Sequence, residues 1–396
     1  MHENDYVVKG FKAGAVGAGI KKAGGSDLAL IFSEQEASAA GVFTTNKVKA
    51  APVILTQEHV RRGRARAIVA NSGNANACTG RPGYLVARQT AEIAARELGV
   101  EAEEILVAST GVIGAPLNVD LISRAMPALV ENLSAKGLPE AVQAIMTTDS
   151  FPKLAHAEGV AGGKAFGITG IAKGAGMIMP DMATMLCFVL TDLAIDGGLL
   201  KKALGSSVNK TLNRITVDGD TSTNDVVLIL ANGMAGNGHV DSADYASFEK
   251  ALTRVLGELA AMVVRDGEGA TKVVTIQIKG AASDKDAGKA ARTVANSTLV
   301  KTAFYGQDPN WGRIMAALGR SGIEMKEETT SIRVDGVEIV QQGVGAGVLR
   351  EKEAAERMKN PEFTVTVDLG LGSAEDRVLT CDLTHEYVSI NAHYRT

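Results

Sequence analysis

The sequence predicts a layered sandwich of the α/β (α+β) class. Three observations predict it. Short apolar runs of strand type recur along the whole chain, amphipathic helical stretches separate some of them, and others follow one another directly. Strict alternation would indicate a doubly wound parallel sheet; this mixed order favours layers of sheet and helix instead.

The elements are read in chain order. Leu28–Phe32, Ala67–Ala70 and Ile105–Ala108 are β-branched or apolar and bounded by Gly, Asn, Asp or Ser, as strands are. Arg88–Leu98 is amphipathic and stops at Gly99, a residue suited to a helix C-cap. Asp120–Leu133 and Gly198–Asn213 carry the same 3.6-residue period. Leu186–Leu190 and Val226–Leu230 are strand runs. Asp244–Val264 places Tyr245, Phe248, Leu252, Val255, Leu256 and Leu259 on one helical face. Val273–Ile278 is a strand. Ala281–Ala291, rich in Ala, Asp, Lys and Gly, reads as a surface connection opening a smaller C-terminal region from about residue 281. Glu351–Met358 is a short helix ended before Pro361, and Phe363–Val367 and Val378–Cys381 are strands. The last ten residues, Tyr387–Thr396, read either as a docked terminus or as a final edge strand.

Composition bounds the function. The 396 residues are 45% hydrophobic and 22% charged, which suits a globular fold with a large core. Formal net charge is −4 without a basic tract, so nucleic acid is not an expected partner. No apolar run has the roughly 18–20 residues of a membrane span, and Met1–Asp5 lacks a signal-peptide pattern. The three cysteines, Cys78, Cys187 and Cys381, are scattered and read as core hydrophobes rather than as a disulfide framework. A cytoplasmic location is expected. No Cys/His spacing suggests a metal site, and no cofactor is expected.

The most informative motif is Lys173-Gly174-Ala175-Gly176-Met177-Ile178-Met179-Pro180-Asp181-Met182-Ala183-Thr184-Met185-Leu186. A Gly- and Pro-containing turn delivers Thr184 to the start of an apolar strand. That junction suits an N-terminal nucleophile, a Thr that cuts its own peptide bond and then uses the freed amine as its base. Taken locally it also reads as a Gly-rich turn before a core strand. Lys173 precedes the glycines and no Gly-Lys-Ser/Thr follows, so a phosphate loop is not supported.

Other segments carry the same two readings. Ser109-Thr110-Gly111 could aim a hydroxyl and a backbone N–H at one developing oxyanion, or could be a capped strand end. Thr147–Lys153 crowds hydroxyls and a carboxylate before Pro152, or ends a helix in solvent. Glu268, between two glycines, could meet a ligand ammonium, or could sit in a surface turn. Asn71–Gly80, Asp218–Asp225 and Gln307–Arg313 look special without declaring a role; Asp218–Asp225 lacks the closing Glu of an EF-hand loop. The six histidines form no triad pattern, which leaves Thr184 as the better nucleophile.

These segments together resemble the ornithine acetyltransferases, or glutamate N-acetyltransferases, of the cyclic arginine pathway. The likeness runs from Gly10-Phe11-Lys12-Ala13 to Thr396, with the motifs in family order. It implies a four-layer αββα sandwich of the kind found in self-cleaving aminopeptidases. It implies cleavage between Ala183 and Thr184 into an α chain (1–183) and a β chain (184–396), interwoven in one catalytic unit, usually as an α2β2 heterotetramer. Thr184 matches the nucleophile, and Thr110 and Gly111 the oxyanion pair. Ser150, Lys173, Thr184, Glu268, Asn391 and Thr396 match substrate-binding positions; the family commonly has Thr where Ser150 stands. The implied substrates are N-acetylornithine and glutamate, and acetyl-CoA is a further substrate in some members. A self-cleaving aminopeptidase or amidohydrolase is the related alternative, and an unprocessed binding protein the non-enzymatic one.

Overall fold

Two elements at the start of the chain set the architecture. In the computed structural model, which describes residues 6–179 and 185–393, β1 (Phe11–Val16) pairs antiparallel with β2 (Leu28–Phe43), a strand of 16 residues. The chain divides into two compact units. One is built mainly from residues up to Val263; the other is built mainly from Val264 onward, with residues 214–219 and Ile178.

The first unit continues through α1 (Ala51–Val60), β3 (Arg64–Asn71), α2 (Gly80–Leu98), β4 (Ile105–Ser109), α3 (Val119–Glu131) and α4 (Leu138–Ile145). Then come β5 (Lys153–Ala161), β6 (Lys164–Lys173), β7 (Leu186–Thr191), α5 (Gly197–Lys210), β8 (Val226–Ala231) and most of α6 (Ser242–Arg265). The strands form one sheet in the order β4-β3-β2-β8-β7-β6-β5, with β1 also on β2. The register of β2 against β3 shifts between Phe32 and Ala37, and beyond that irregularity β2 pairs β8. Such a shift bends a strand, so the sheet turns back on itself. Its inner faces close on one buried cluster, in which Ala29, Ile31, Ile68 and Leu106 meet Ile171, Phe188, Leu190, Leu228 and Leu230.

The outer faces carry the helices. On one side Leu28, Leu30, Ala67, Val69 and Val107 pack under Leu55, Ala91, Ala94, Ile122 and Met126 of α1, α2 and α3. On the other side α6 lies against β6. A Cβ at Gly170 would come 2.8 Å from Leu259 and 2.9 Å from Val255, so only Gly admits the helix this closely. The next residue, Ile171, faces the inner cluster, as the two-residue strand period requires. The layers of this unit therefore run helix, sheet, sheet, helix. β7 and β8 are buried on both faces, and for that reason read as unbroken apolar runs.

The second unit holds β9 (Val273–Ala281), α7 (Asp284–Ala295), α8 (Thr298–Tyr305), α9 (Trp311–Gly319), β10 (Ser331–Val334) and β11 (Val337–Gln341). It ends with β12 (Val344–Gly345), α10 (Val348–Met358), β13 (Glu362–Asp368), β14 (Ala374–Cys381) and α11 (His385–Ala392). Its sheet runs β12-β11-β10-β13-β9-β14, with only the β9–β13 pairing parallel. Val274, Ile276 and Ile278 alternate inward beneath Ala290, Val294, Phe304, Leu318 and Met358 of the helices.

Three expectations are corrected. The stretch 281–291 is no surface connection: Ala281 closes β9, and Ser283 caps α7 by accepting the Asp286 N–H. Ala287, Ala290, Ala291 and Val294 bury one face of α7, and because most of that face is alanine its apolar stripe is weak in the sequence. The C-terminal segment is not an edge strand but the helix α11, whose N-cap Thr384 accepts the Tyr387 N–H. Cys187 and Cys381 are core residues, with burial pushing the Cys187 thiol up to about 12. Cys78, at φ +57° in the Asn-rich loop, is exposed.

Candidate active site

Three chain segments of the first unit meet where β4 and β6 end. β4 closes at Ser109 and hands on to Thr110, whose side chain is buried. α4 exits into Thr147–Asp149, and Lys153 opens β5. Lys173 is the last residue of β6 and is only 3% exposed. Its Nζ donates to Thr147 Oγ1 at 2.8 Å and to Thr110 Oγ1 at 3.4 Å. An ammonium can only donate, so Thr110 Oγ1 uses a lone pair on Lys173 and its own O–H points elsewhere. The sequence-identified pair Thr110 and Lys173 is thus one hydrogen-bonded unit that offers a hydroxyl proton.

Gly111 follows at φ +130°, and a Cβ there would lie 2.4 Å from the Gly73 carbonyl carbon and 2.5 Å from Asn74 N. No other residue fits that position. The Asn-rich loop that presses against it is scaffold. Asn71 Oδ1 accepts from Ser109 Oγ at 2.6 Å, and Asn71 Nδ2 donates to the Asn74 carbonyl at 2.9 Å. Asn224 Nδ2 donates to the carbonyls of Ala75 (2.7 Å) and Ser109 (2.8 Å). Buried amides supply the partners that loop backbone would otherwise find in water.

Asp149 is the electrostatic centre. Its side chain is 0% exposed. Oδ1 accepts from Lys153 Nζ at 2.7 Å and from Gly174 N at 2.6 Å, and Oδ2 accepts from Thr147 N at 2.9 Å. Lys173 Nζ lies 3.9 Å from Oδ2. Burial alone would push this carboxyl up. The Lys173 and Lys153 ammoniums, helped by the Thr147 N–H, outweigh burial and hold it at about 2. Thr147–Lys153 is therefore no solvent-facing helix stop. Ser150, the expected substrate contact beside Asp149, is exposed.

Asp225 is a second buried carboxyl. Its Oδ1 accepts the Met185 N–H at 3.0 Å, its Oδ2 has no hydrogen-bond partner among the described residues, and the residue is 0% exposed. Burial raises its pKa well above the ordinary value, and the Met185 N–H, the Lys173 charge and nearby Ser222 only partly oppose that. Met185 is bonded to Thr184. Ala183, Thr184 and Thr396 themselves lie outside the described residues.

In the second unit, Glu268 is buried rather than set in an open surface turn, and its Oε2 accepts from Asn391 Nδ2 at 2.7 Å. Asn391 sits in the last turn of α11, and Thr384 Oγ1 at the start of that helix donates to the Gly269 carbonyl at 2.8 Å. Both ends of α11 are thus tied to the Glu268 turn. Two residues separated by more than a hundred positions, each picked from sequence, form one pair. Among the described residues no three His, Cys, Asp or Glu side chains gather as a metal site.

Sequence reading missed Asp149, Thr147 and Lys153, although their segment stood out; a carboxylate and a Lys at i and i+4 was the available signal. It also missed Asp225, at the end of a segment assigned no role.

The comparisons with known proteins bear on the family. The sequence matches the ArgJ family over residues 12–396. It is 52% identical over 391 residues to the arginine biosynthesis bifunctional protein ArgJ of Geobacter sulfurreducens, covering 98% of this chain and all of that protein. A crystal structure of ArgJ from Bacillus halodurans is 44% identical, with a TM-score of 0.49, and covers 51% of this chain and 95% of its own. An ornithine acetyltransferase from Mycobacterium tuberculosis, complexed with ornithine, is 38% identical, with a TM-score of 0.41, and covers 47% of this chain and 98% of its own. With the family matched over nearly its whole length, and with a relative more than half identical, this chain belongs to the ArgJ family.

Proposed function

We propose that this chain is an N-acyltransferase of arginine biosynthesis, a glutamate N-acetyltransferase that moves acetyl from N2-acetylornithine to L-glutamate. The observation that carries the reading is the Lys173–Thr110 hydrogen bond beside a glycine that no other residue can replace. That pair suits the stabilisation of a tetrahedral oxyanion, and family membership supplies the substrates.

The chain is first its own substrate. Thr184 Oγ attacks the Ala183 carbonyl, the amide becomes an ester, and water hydrolyses the ester. Thr184 is left with a free α-amine, whose ordinary pKa of about 7.7–8.0 leaves a useful neutral fraction near pH 7. The anchored flanks suit this step: Ile178 N donates to Asp218 Oδ1 at 2.9 Å, and Met185 N donates to Asp225. In turnover the amine takes the Thr184 hydroxyl proton as Oγ attacks the acetyl carbonyl of N2-acetylornithine. Thr110 O–H and Gly111 N–H receive the oxyanion, each such donor contributing about 3 kcal/mol to the barrier's reduction. Ornithine leaves with the proton. The glutamate α-amine then attacks the acetyl-Thr184 ester, giving N-acetylglutamate by ping-pong. Lys173 meets a substrate carboxylate, Glu268 with Asn391 meets the ornithine side-chain ammonium, and Ser150 and Thr396 complete the substrate contacts. The products of cleavage assemble as an α2β2 heterotetramer in the cytoplasm. Acetyl-CoA serves as a second acetyl donor, as the word bifunctional in the relatives' name suggests, and no other cofactor takes part.

Thr184→Ala tests the reading. The variant should run as one uncleaved band on a denaturing gel and release no ornithine, whereas wild type gives two bands. Two bands from the variant would eliminate the proposal.

A further inference from the structure

Asn391 reaches Glu268 from a helix that apolar packing holds only weakly. α11 has eight residues, and none of them is buried. A helix this short depends on its contacts for stability. Two hydrogen bonds tie it to the Glu268 turn, Asn391 to Glu268 at one end and Thr384 to Gly269 at the other.

Thr384 is the joint between the two elements. Its hydroxyl has one proton, which it gives to the Gly269 carbonyl at 2.8 Å, while its oxygen accepts the Tyr387 N–H at 3.4 Å and so starts the helix. One hydroxyl thus fixes where α11 begins and how that beginning stands against the residue after Glu268. The approach is close. Gly269 has φ +68°, and a Cβ there would come 2.7 Å from Tyr387 N and 2.8 Å from Thr384 Oγ1. In the last turn of α11, Asn391 Nδ2 donates to Glu268 Oε2 at 2.7 Å and to the Tyr387 carbonyl at 3.0 Å. The amide is held by its own helix, so it moves with α11. Glu268 is 8% exposed, and its other oxygen, Oε1, has no hydrogen-bond partner among the described residues. A buried carboxylate with one oxygen unspent suits a ligand ammonium when that oxygen is well aimed.

The far end of the turn is anchored separately. Asp382 Oδ1 accepts the Thr271 and Lys272 N–H groups at 2.8 Å and 3.0 Å, and its Oδ2 accepts from Thr271 Oγ1 at 2.6 Å. Loss of the Thr384 hydroxyl therefore leaves the turn attached and frees only its middle and α11.

We propose that Thr384 is a positioning residue for the acetyl donor. Its hydroxyl holds α11 in register with the Glu268 turn, so that Asn391 aims Glu268 at the side-chain ammonium of N2-acetylornithine. The inference rests on the transferase reading above and deepens it at the Glu268 site. L-glutamate has no side-chain ammonium, so the donor half-reaction feels the register and the acceptor half-reaction does not. The plainer role is a helix N-cap. A cap steadies α11 whichever substrate is bound, and its effect does not pass through the Glu268 charge.

Thr384→Val keeps the shape and removes the hydroxyl, and Thr384→Ser restores it. In ping-pong kinetics kcat/KM for each substrate reports its own half-reaction. Thr384→Val should lower kcat/KM for N2-acetylornithine about 3- to 10-fold, the span for one neutral hydrogen bond. L-glutamate should stay within about twofold of wild type, and Thr384→Ser should match wild type on both. In a Glu268→Gln background Thr384→Val should cost the donor less than about twofold, because the two residues act as one unit. Thr384→Gly, nearly as good an N-cap, should lose donor activity as Thr384→Val does, and it carries the test if Thr384→Val folds poorly. An equal loss on donor and acceptor, a full loss retained beside Glu268→Gln, or wild-type donor use by Thr384→Gly would make Thr384 a cap and overturn the proposal. Glu268→Gln with unchanged donor use would remove the ammonium site and the proposal with it. Wild-type enzyme that released no ornithine would remove the transferase reading itself.

Discussion

Asp149 and Asp225 are both buried carboxyls within the field of Lys173, yet the protein shifts their pKa values in opposite directions. Asp149 receives two lysines and two backbone N–H groups, and its carboxyl stays charged to about pH 2. Asp225 receives one N–H on Oδ1, leaves Oδ2 without a hydrogen-bond partner among the described residues, and burial pushes its carboxyl well up. Burial is nearly the same for the two, so partners decide the charge. The Asp149 carboxylate, which joins α4's exit, β5 and β6, is a strut, whereas Asp225 holds only the Met185 N–H and its burial is poorly offset.

The largest effect should come from breaking the strut. Asp149→Asn leaves the fully buried Lys153 ammonium without its carboxylate. Removing one partner of a buried pair costs about 3–5 kcal/mol, which corresponds to a thermal midpoint lower by roughly 5–10 °C. A scanning-calorimetry midpoint within a degree of wild type would show that Lys153 finds another partner and would dissolve the contrast with Asp225.

A smaller effect is the acid dependence. The Asp149 carboxyl is depressed from 3.8 to about 2. That difference is worth about 2–3 kcal/mol at neutral pH. It is fully present above the unfolded-state value near 4 and is lost as pH falls through about 2. Thermal midpoints taken between pH 6 and pH 2 should therefore fall more steeply for wild type than for Asp149→Asn. Parallel curves would place the acid-labile stability in other carboxylates.

Much of this contrast could not be read from the chain. Thr110 and Gly111 stood out because a hydroxyl and a glycine followed an apolar run, Glu268 because it lay between two glycines, and Lys173 and Asn391 because the family resemblance marked them. β7 and β8 were legible as runs buried on both faces. β5 and β6 were not, since Ala155, Ala157, Gly167 and Gly170 leave too little apolar signal in strands whose small residues admit α6 and each other. Lys153 gave no sign of burial because lysine is almost never fully buried, and its 2.7 Å ion pair with Asp149, a contact of two side chains four residues apart, helps to explain the exception. The ordering of residues 18–21 was hidden for a different reason: it comes from one carboxylate, Asp27, satisfying three N–H groups, and no periodicity reports that. The fold was therefore legible where burial is apolar, and the site where residue type is unusual, but not where charge is buried against charge.

The smallest effect tests the other side of the comparison. Asp225→Asn keeps an acceptor oxygen for the Met185 N–H and removes the ionisable group. For an acid whose folded pKa is raised, the folded state keeps a proton that the unfolded state gives up above pH 4, so wild-type stability declines as pH rises from there toward the folded value. The amide has no such decline. Asp225→Asn should gain stability relative to wild type as pH rises above about 4, read as a midpoint difference that grows with pH. This is the reverse in sign of Asp149→Asn, at a site equally buried. If Asp225→Asn were instead destabilising by a similar amount at every pH, Asp225 would be an ionised, paired carboxylate in the folded protein. Lys173 would then be shared between two struts.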